Sequence, residues 1–220
     1  MKRANYDEIG AILVNAIVFD PNHENGEAMD ADSLYQSIAQ FFELLKKKQI
    51  EYLLVGGVAL LQYVEGRNTE DIDLIMALSS LQQIPGIEIT EETMYFRQAR
   101  YKSLKIDILL TQNPLFKHVL STYGQRLDFR GNEIRVVSVE GLLLLKLYAL
   151  PSLYRQGNFS RVGLYENDVA TLIQAYRPDT ANLIQVLSKH VSATDLKEIQ
   201  NILAEIHSRI ERFNQSSTSD

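Results

Sequence analysis

Three aspartates are the residues of this 220-residue chain whose type and spacing could do chemistry. Asp71 and Asp73 stand in the run Asp-Ile-Asp-Leu-Ile-Met, and residues i and i+2 of a strand point to one face. Two carboxylates side by side are unfavourable unless a cation lies between them. Asp107 interrupts a further apolar run, Leu104–Leu110. The pattern predicts a site for metal ions and for the phosphates that such ions accompany.

A glycine pair precedes these aspartates. Gly56 and Gly57 lie between an apolar strand predicted over residues 50–55 and a short helix predicted over 57–63. Glycine lets backbone N–H groups approach a phosphate, and a helix N-terminus favours anions. Val58 follows, so only backbone donors are available at this turn. A glycine pair alone is usually a turn, and Asp-x-Asp alone is usually a solvated strand face. Their occurrence together favours a functional site.

The elements that must position these residues form a mixed pattern. Strands are predicted near 50–55, 71–76, 86–90, 93–100, 103–110, 126–130 and 133–137, with helices at 34–45 and 114–121. After residue 137 only helices are predicted, near 139–149, 165–176, 180–190 and 193–213. The fold class is therefore α+β: a small mixed β-sheet core followed by an all-α C-terminal part. We divide the chain into an N-terminal appendage (1–32), the core (33–137), a helical region (138–213) and a disordered tail (214–220).

Composition excludes several classes of protein. The net charge of −6 argues against wrapping nucleic acid by bulk charge, and the absence of cysteine excludes disulfides and thiolate sites. The four histidines are scattered, so a zinc site has no support. The apolar run 9–19 is too short to span a bilayer and lacks a cleavage site. We expect a cytoplasmic protein with no membrane association.

The motifs resemble those of a known superfamily. Gly56-Gly57, a 13-residue spacer, Asp71-Ile-Asp73 and a later Asp107 are similar to the signature of the DNA polymerase β-like nucleotidyltransferases. Arg67-x-Thr69-x-Asp71-Ile-Asp73 resembles the small bacterial nucleotidyltransferases related to AbiEii-type toxins. A helix carrying Lys146 and a later helix carrying Asp168 are also similar to those relatives.

The resemblance implies an activity and a set of roles. Two Mg²⁺ ions, with Mn²⁺ as the alternative, would be held by Asp71, Asp73 and Asp107 and would stabilise the attacking and leaving oxygens. An NMP would pass from an NTP such as ATP to a hydroxyl, and pyrophosphate would leave. The nucleotide-binding residues would be Gly56, Gly57, Arg67, Thr69 and Lys146.

Several of these side chains have simpler interpretations. Arg67 could pair with a neighbouring glutamate on the surface, and Thr69 could bond its own turn. Lys146 could extend to solvent along its apolar helix. Asp168 could serve the dipole of the helix that it is predicted to open. The relatives' Lys-Asp pair before this helix is replaced here by Leu164 and Tyr165, so the C-terminal region departs from the family's pattern at these positions.

The acceptor stays open at this stage. It could be a protein side chain, a small molecule or an RNA end such as that of a tRNA, and a cognate toxin or antitoxin partner is a further hypothesis. The alternative function is a catalytically weak nucleotide-binding or partner-binding module on the same fold, because a fold does not guarantee activity.

Overall fold

The computed structural model describes the backbone of residues 31–64, 71–129 and 132–216. The chain divides into two compact units, residues 1–138 and 139–220. We call them the sheet unit and the helical unit and describe each by itself. The predicted appendage, apart from its last two residues, and the last four residues of the predicted tail lie outside the described residues.

The described residues of the sheet unit form a seven-stranded sheet in the order β3-β4-β5-β2-β1-β7-β6. Their bounds are β1 Tyr52–Val55, β2 Ile72–Met76, β3 Ile87–Glu92, β4 Phe96–Tyr101, β5 Leu104–Leu110, β6 Gly124–Phe129 and β7 Asn132–Val137. β2 pairs with β5 in parallel and β1 with β7 in parallel, whereas the other neighbours are antiparallel. The helices in the described part of this unit are α1 Ala31–Lys47, α2 Gly56–Leu60, α3 Leu78–Leu81 and α4 Pro114–Thr122.

The strands β2 and β5 show how buried apolar residues alternate with the two aspartates. In β5, the residues at alternate positions from Leu104 to Leu110 are buried, while Asp107 between them is half-buried. In β2, Ile72 and Leu74 are fully buried on either side of Asp73. Burying each of these isoleucine and leucine side chains stabilises the folded state by about 1.5–3 kcal/mol. The carboxylates consequently point to the opposite face.

Helix α1 covers the sheet with an apolar stripe. Ile38, Phe41 and Leu45 recur at helical spacing and are fully buried. The Phe41 ring lies 5.1 Å from that of Tyr101 on β4, centroid to centroid. Phe42 lies 5.7 Å from Tyr52 on β1 in the same way. The helix therefore packs against β4 and β1, the two strands that flank β5 and β2, which carry the aspartates.

The helical unit consists of α5 Val139–Arg155, α6 Phe159–Tyr176, α7 Thr180–Leu187 and α8 Ala193–Ser216. α5 continues through Pro151, where a break was expected after residue 149, since buried Leu147, Leu150 and Leu153 offset the lost backbone donor. α6 begins six residues earlier than predicted, because the Asn158 side chain accepts a hydrogen bond from the Arg161 N–H and caps it.

The predicted fold class, α+β with an all-α C-terminal part, is confirmed. The strands fall within a few residues of their predicted positions, and the one-turn helix α3 was missed. α8 runs to Ser216, three residues into the segment predicted as a disordered tail. No helix of the described part of the chain is long and apolar enough to cross a membrane.

Candidate functional site

The structure brings two of the three predicted carboxylates together. Asp73 and Asp107 are register partners on the neighbouring parallel strands β2 and β5. Neighbouring strands lie about 4.8 Å apart, so the two carboxylates stand side by side on one face. Both are half-buried, and the residues flanking them along the strands are buried on the other face. Like charges at this spacing repel each other, which is the arrangement expected of a cation site.

The glycine turn closes on Asp73 from the other side. Val55, the last residue of β1, is the register partner of Asp73, and Gly56 follows with φ +66°. A Cβ at Gly56 would lie 1.9 Å from Asp73 Oδ2, so only glycine fits against this carboxylate. The Gly57 N–H donates to the same oxygen at 3.3 Å. The glycine pair therefore serves to place Asp73, a role that the sequence did not indicate.

Asp107 is held from the neighbouring strand. Gln98 on β4 is the register partner of Asp107, and its Nε2 donates to Asp107 Oδ1 at 3.3 Å. Sequence reasoning missed Gln98, because a neutral amide on a predicted strand carries no signal of chemistry. Only the register between β4 and β5 reveals its contact.

Three further residues of the sheet unit were predicted to bind metal or nucleotide: Asp71, Arg67 and Thr69. Asp71 is half-buried and lies in the bend directly before β2, two residues ahead of Asp73. Arg67 and Thr69 lie outside the described residues. Their predicted roles, and that of Asp71 as a metal ligand, stay predictions.

The residues present fit a hard divalent cation. The donors offered by Asp73 and Asp107 are oxygens, which Mg²⁺ and Mn²⁺ prefer. The cleared space at Gly56, which a Cβ would fill, keeps the Asp73 carboxylate at the sheet face. Among the described residues, no three His, Cys, Asp or Glu side chains form a metal-binding group. Mg²⁺ is commonly bound by one or two carboxylates, with water and phosphate as its other ligands.

Lys146 has a partner within the helical unit. Its Nζ donates to Asp168 Oδ2 at 2.7 Å, and the lysine and aspartate are only 5% and 3% exposed. The Nζ also lies 4.3 Å from the centroid of the Tyr165 ring, a cation–π contact. Lys146 therefore does not extend to solvent. Asp168 is in the middle of α6, not at its start, so it does not serve the dipole at the helix N-terminus.

A surface network in the same unit involves a tyrosine. The Tyr154 hydroxyl donates to Glu166 Oε1, and Arg209 pairs with Glu166 Oε2 at 3.1 Å. This hydrogen bond to Glu166, followed by partial burial, raises the pKa of Tyr154 to about 12. The network links α5, α6 and α8.

Known proteins resemble this chain in structure. No family model matches the sequence, and no curated protein matches it significantly. An antigenic nucleotidyltransferase-like protein from Paracoccidioides brasiliensis superposes with a TM-score of 0.55 at 17% identity, over 80% of this chain and 88% of that one.

Two further solved structures give lower scores. The antibiotic-resistance factor ANT(2'')-Ia, solved with adenylyl-2''-tobramycin, has a TM-score of 0.48 at 14% identity over 79% of this chain and 98% of that one. A putative nucleotidyltransferase from Thermotoga maritima has a TM-score of 0.42 at 16% identity over 66% and 99%. The superposition with the Paracoccidioides protein shows that this chain shares the fold of that nucleotidyltransferase-like protein.

Proposed function

We propose that the protein is a Mg²⁺-dependent nucleotidyltransferase that moves an NMP from an NTP to a hydroxyl acceptor and releases pyrophosphate. One observation carries this proposal: Asp73 and Asp107 stand in register on adjacent parallel strands, with Asp73 held by the Gly56-Gly57 turn. The fold, shared with a nucleotidyltransferase-like protein, agrees with it. Asp71 is proposed as a third ligand.

The chain's own residues would divide the work between two substrates. Asp73 and Asp71 would hold the metal ion that accompanies the triphosphate. Asp107 would hold the metal ion on the side of the acceptor hydroxyl. Bound Mg²⁺ would supply charge stabilisation at the α-phosphate and lower the pKa of the acceptor hydroxyl. The Gly57 N–H and Gln98 would keep the two carboxylates fixed, so that little reorganisation is needed during transfer.

The proposal is tested by label transfer. The protein is incubated with each α-labelled NTP, Mg²⁺ and a cell lysate that is then separated into RNA, protein and metabolite fractions. We expect label in one fraction, and a loss of at least about 100-fold in Asp73→Ala and Asp107→Ala, because each variant lacks a ligand of the charge-stabilising ion. Glu88→Ala is the matched control, since it removes an exposed carboxylate of β3 in the same unit. Full transfer by the Asp73 variant would sink the proposal.

A second candidate is a nucleotide-binding module with weak or no catalysis. The Gly57 N–H favours this second function. It already donates to Asp73 Oδ2, so the turn has one backbone donor fewer for a phosphate. Calorimetry with Mg²⁺ and each NTP separates the two functions. Binding without label transfer supports the module, whereas label transfer supports the transferase.

The acceptor and the cellular setting belong to this proposal as well. The net charge of −6 makes a protein or a small molecule a better acceptor than a long nucleic acid, while an RNA terminus could still dock at the site. A cytoplasmic location, ATP as donor and a toxin–antitoxin partner stay predictions. The labelled fraction of the lysate identifies the acceptor class directly.

A further inference from the structure

Gln98 contacts the candidate site, although it was not among the predicted ligands. β4 runs antiparallel to β5, and Gln98 lies directly opposite Asp107 in their register. Its neighbours Arg97 and Ala99 alternate to the other face, where Ala99 is 1% exposed. Gln98 therefore shares the face of the carboxylates and is itself half-buried.

The hydrogen bonds of Gln98 have one consistent direction. An ionised carboxylate only accepts, so the amide nitrogen must face Asp107, as it does at 3.3 Å from Oδ1. The amide oxygen then faces the neighbouring strand, where the Thr90 hydroxyl donates to it at 3.4 Å. Thr90 is on the edge strand β3 of the described sheet and is exposed. A chain of hydrogen bonds therefore runs across three strands, from Thr90 through Gln98 to Asp107.

We propose that Gln98 is a positioning residue that fixes the plane of the Asp107 carboxylate for cation binding, with Thr90 fixing the amide of Gln98 in turn. The inference rests on the proposed function, because it takes Asp107 to be a metal ligand. A side chain that orients a metal-binding carboxylate commonly changes metal affinity about 10- to 100-fold when it is replaced. A neutral donor suits this place, because it orients Asp107 without adding a further negative charge beside Asp73.

The experiment measures Mn²⁺ binding to the full-length protein by calorimetry and by electron paramagnetic resonance. Gln98→Met keeps the length of the side chain and removes both hydrogen bonds, so we expect Mn²⁺ affinity to fall about 10-fold with an unchanged melting temperature. Thr90→Val should produce a smaller fall in the same direction. Gln83→Met is the matched control, since the Gln83 amide donates to Ser79 O on the surface of the same unit, away from the carboxylates. Its Mn²⁺ affinity should equal that of the wild type.

A double-mutant cycle separates positioning from general support of the fold. If Gln98 acts through Asp107, Gln98→Met should cause no further loss in an Asp107→Ala background. Wild-type affinity in Gln98→Met, or the same loss in both backgrounds, overturns the role of Gln98 and leaves the metal site intact. If Asp107→Ala binds Mn²⁺ as tightly as the wild type, the metal site itself is refuted, and the inference about Gln98 fails with it.

Discussion

Asp73 and Asp107 in the sheet unit are like charges that stand side by side and half-exposed, whereas Lys146 and Asp168 in the helical unit are opposite charges that are both buried. The first arrangement costs stability unless something binds to it. The second is satisfied within the chain, and removing either partner would leave a buried charge without its counterion. This contrast supports our proposal that the first pair binds a ligand, whereas the second pair is an ion pair that is complete within the chain.

The largest effect is expected at the buried pair. Asp168→Asn should lower the free energy of unfolding by about 3–5 kcal/mol, because the buried Lys146 would lose its counterion. Urea unfolding measures this loss. Asp195→Asn is the control in the same unit, since it removes a half-buried partner of the exposed Arg155, which keeps Glu198 as a second partner, and should cost about 1 kcal/mol or less. Equal losses in the two variants would contradict the structural role of the buried pair.

Two glycines with the same positive φ angle give the next comparison. Gly56 and Gly157 both have φ +66°, but a Cβ at Gly56 meets Asp73 whereas nothing lies within 4 Å of one at Gly157. Gly157→Ala should cost only the left-handed strain, about 1–2 kcal/mol. Gly56→Ala should cost roughly 2 kcal/mol more, because the clash forces backbone or Asp73 to move.

The measurement for this glycine comparison is thermal unfolding of both variants, together with Mn²⁺ binding. Gly56→Ala should weaken Mn²⁺ binding, because it displaces Asp73, while Gly157→Ala should leave it unchanged. If both variants lose the same stability and neither loses metal affinity, Gly56 has no special relation to Asp73.

Removing a charge at the candidate site should not lower the free energy of unfolding, whereas removing one at the buried pair should. Asp73→Asn relieves repulsion with Asp107 and keeps an oxygen for the Gly57 N–H. Without added divalent cation, its unfolding free energy should equal that of the wild type or exceed it by up to about 1 kcal/mol. Denaturation in EDTA measures this, and a clear loss of stability would assign Asp73 to the fold instead of to function.

The smallest effect at neutral pH is expected in the surface network of the helical unit. The pKa of Tyr154, about 12 when folded, lies above its ordinary value of 10, chiefly because its hydroxyl bonds the Glu166 carboxylate. The stability from this contact is complete below pH 10 and is lost as the pH rises through about 12. Glu166→Gln should return the pKa towards 10. A difference titration of tyrosinate absorbance between variant and wild type checks this shift, and Tyr154→Phe identifies its signal.

Sequence reasoning reached the carboxylates because alternation is a local property. Asp73 and Asp107 each interrupt an apolar strand pattern, which is why both were predicted as site residues; their position side by side follows from the register of β2 against β5. The direction of Gly57 towards Asp73 and the contact of Gln98 with Asp107 depend on the pairing of strands, which no local pattern records. These two contacts therefore needed the structure.

In the helical unit, too, the residues were noticed in the sequence but their contact was not predicted. Lys146 and Asp168 were both noticed, but their ion pair was not predicted, because α6 was taken to begin near residue 165. The cap at Asn158 was a usable signal, since Asn is favoured before a helix. With that start, Asp168 falls inside the helix, where a buried carboxylate requires a cationic partner.

The register of β5 against β2 also constrains how the length of this chain can change. Ile106 and Ile108 flank Asp107 and are fully buried, so inserting one residue inside β5 would turn Asp107 into the core and an isoleucine to the ligand face. An insertion in the turn between β3 and β4 would leave that alternation intact. Homologous chains that keep the site should therefore vary in length at this turn, and hardly at all within β2 or β5.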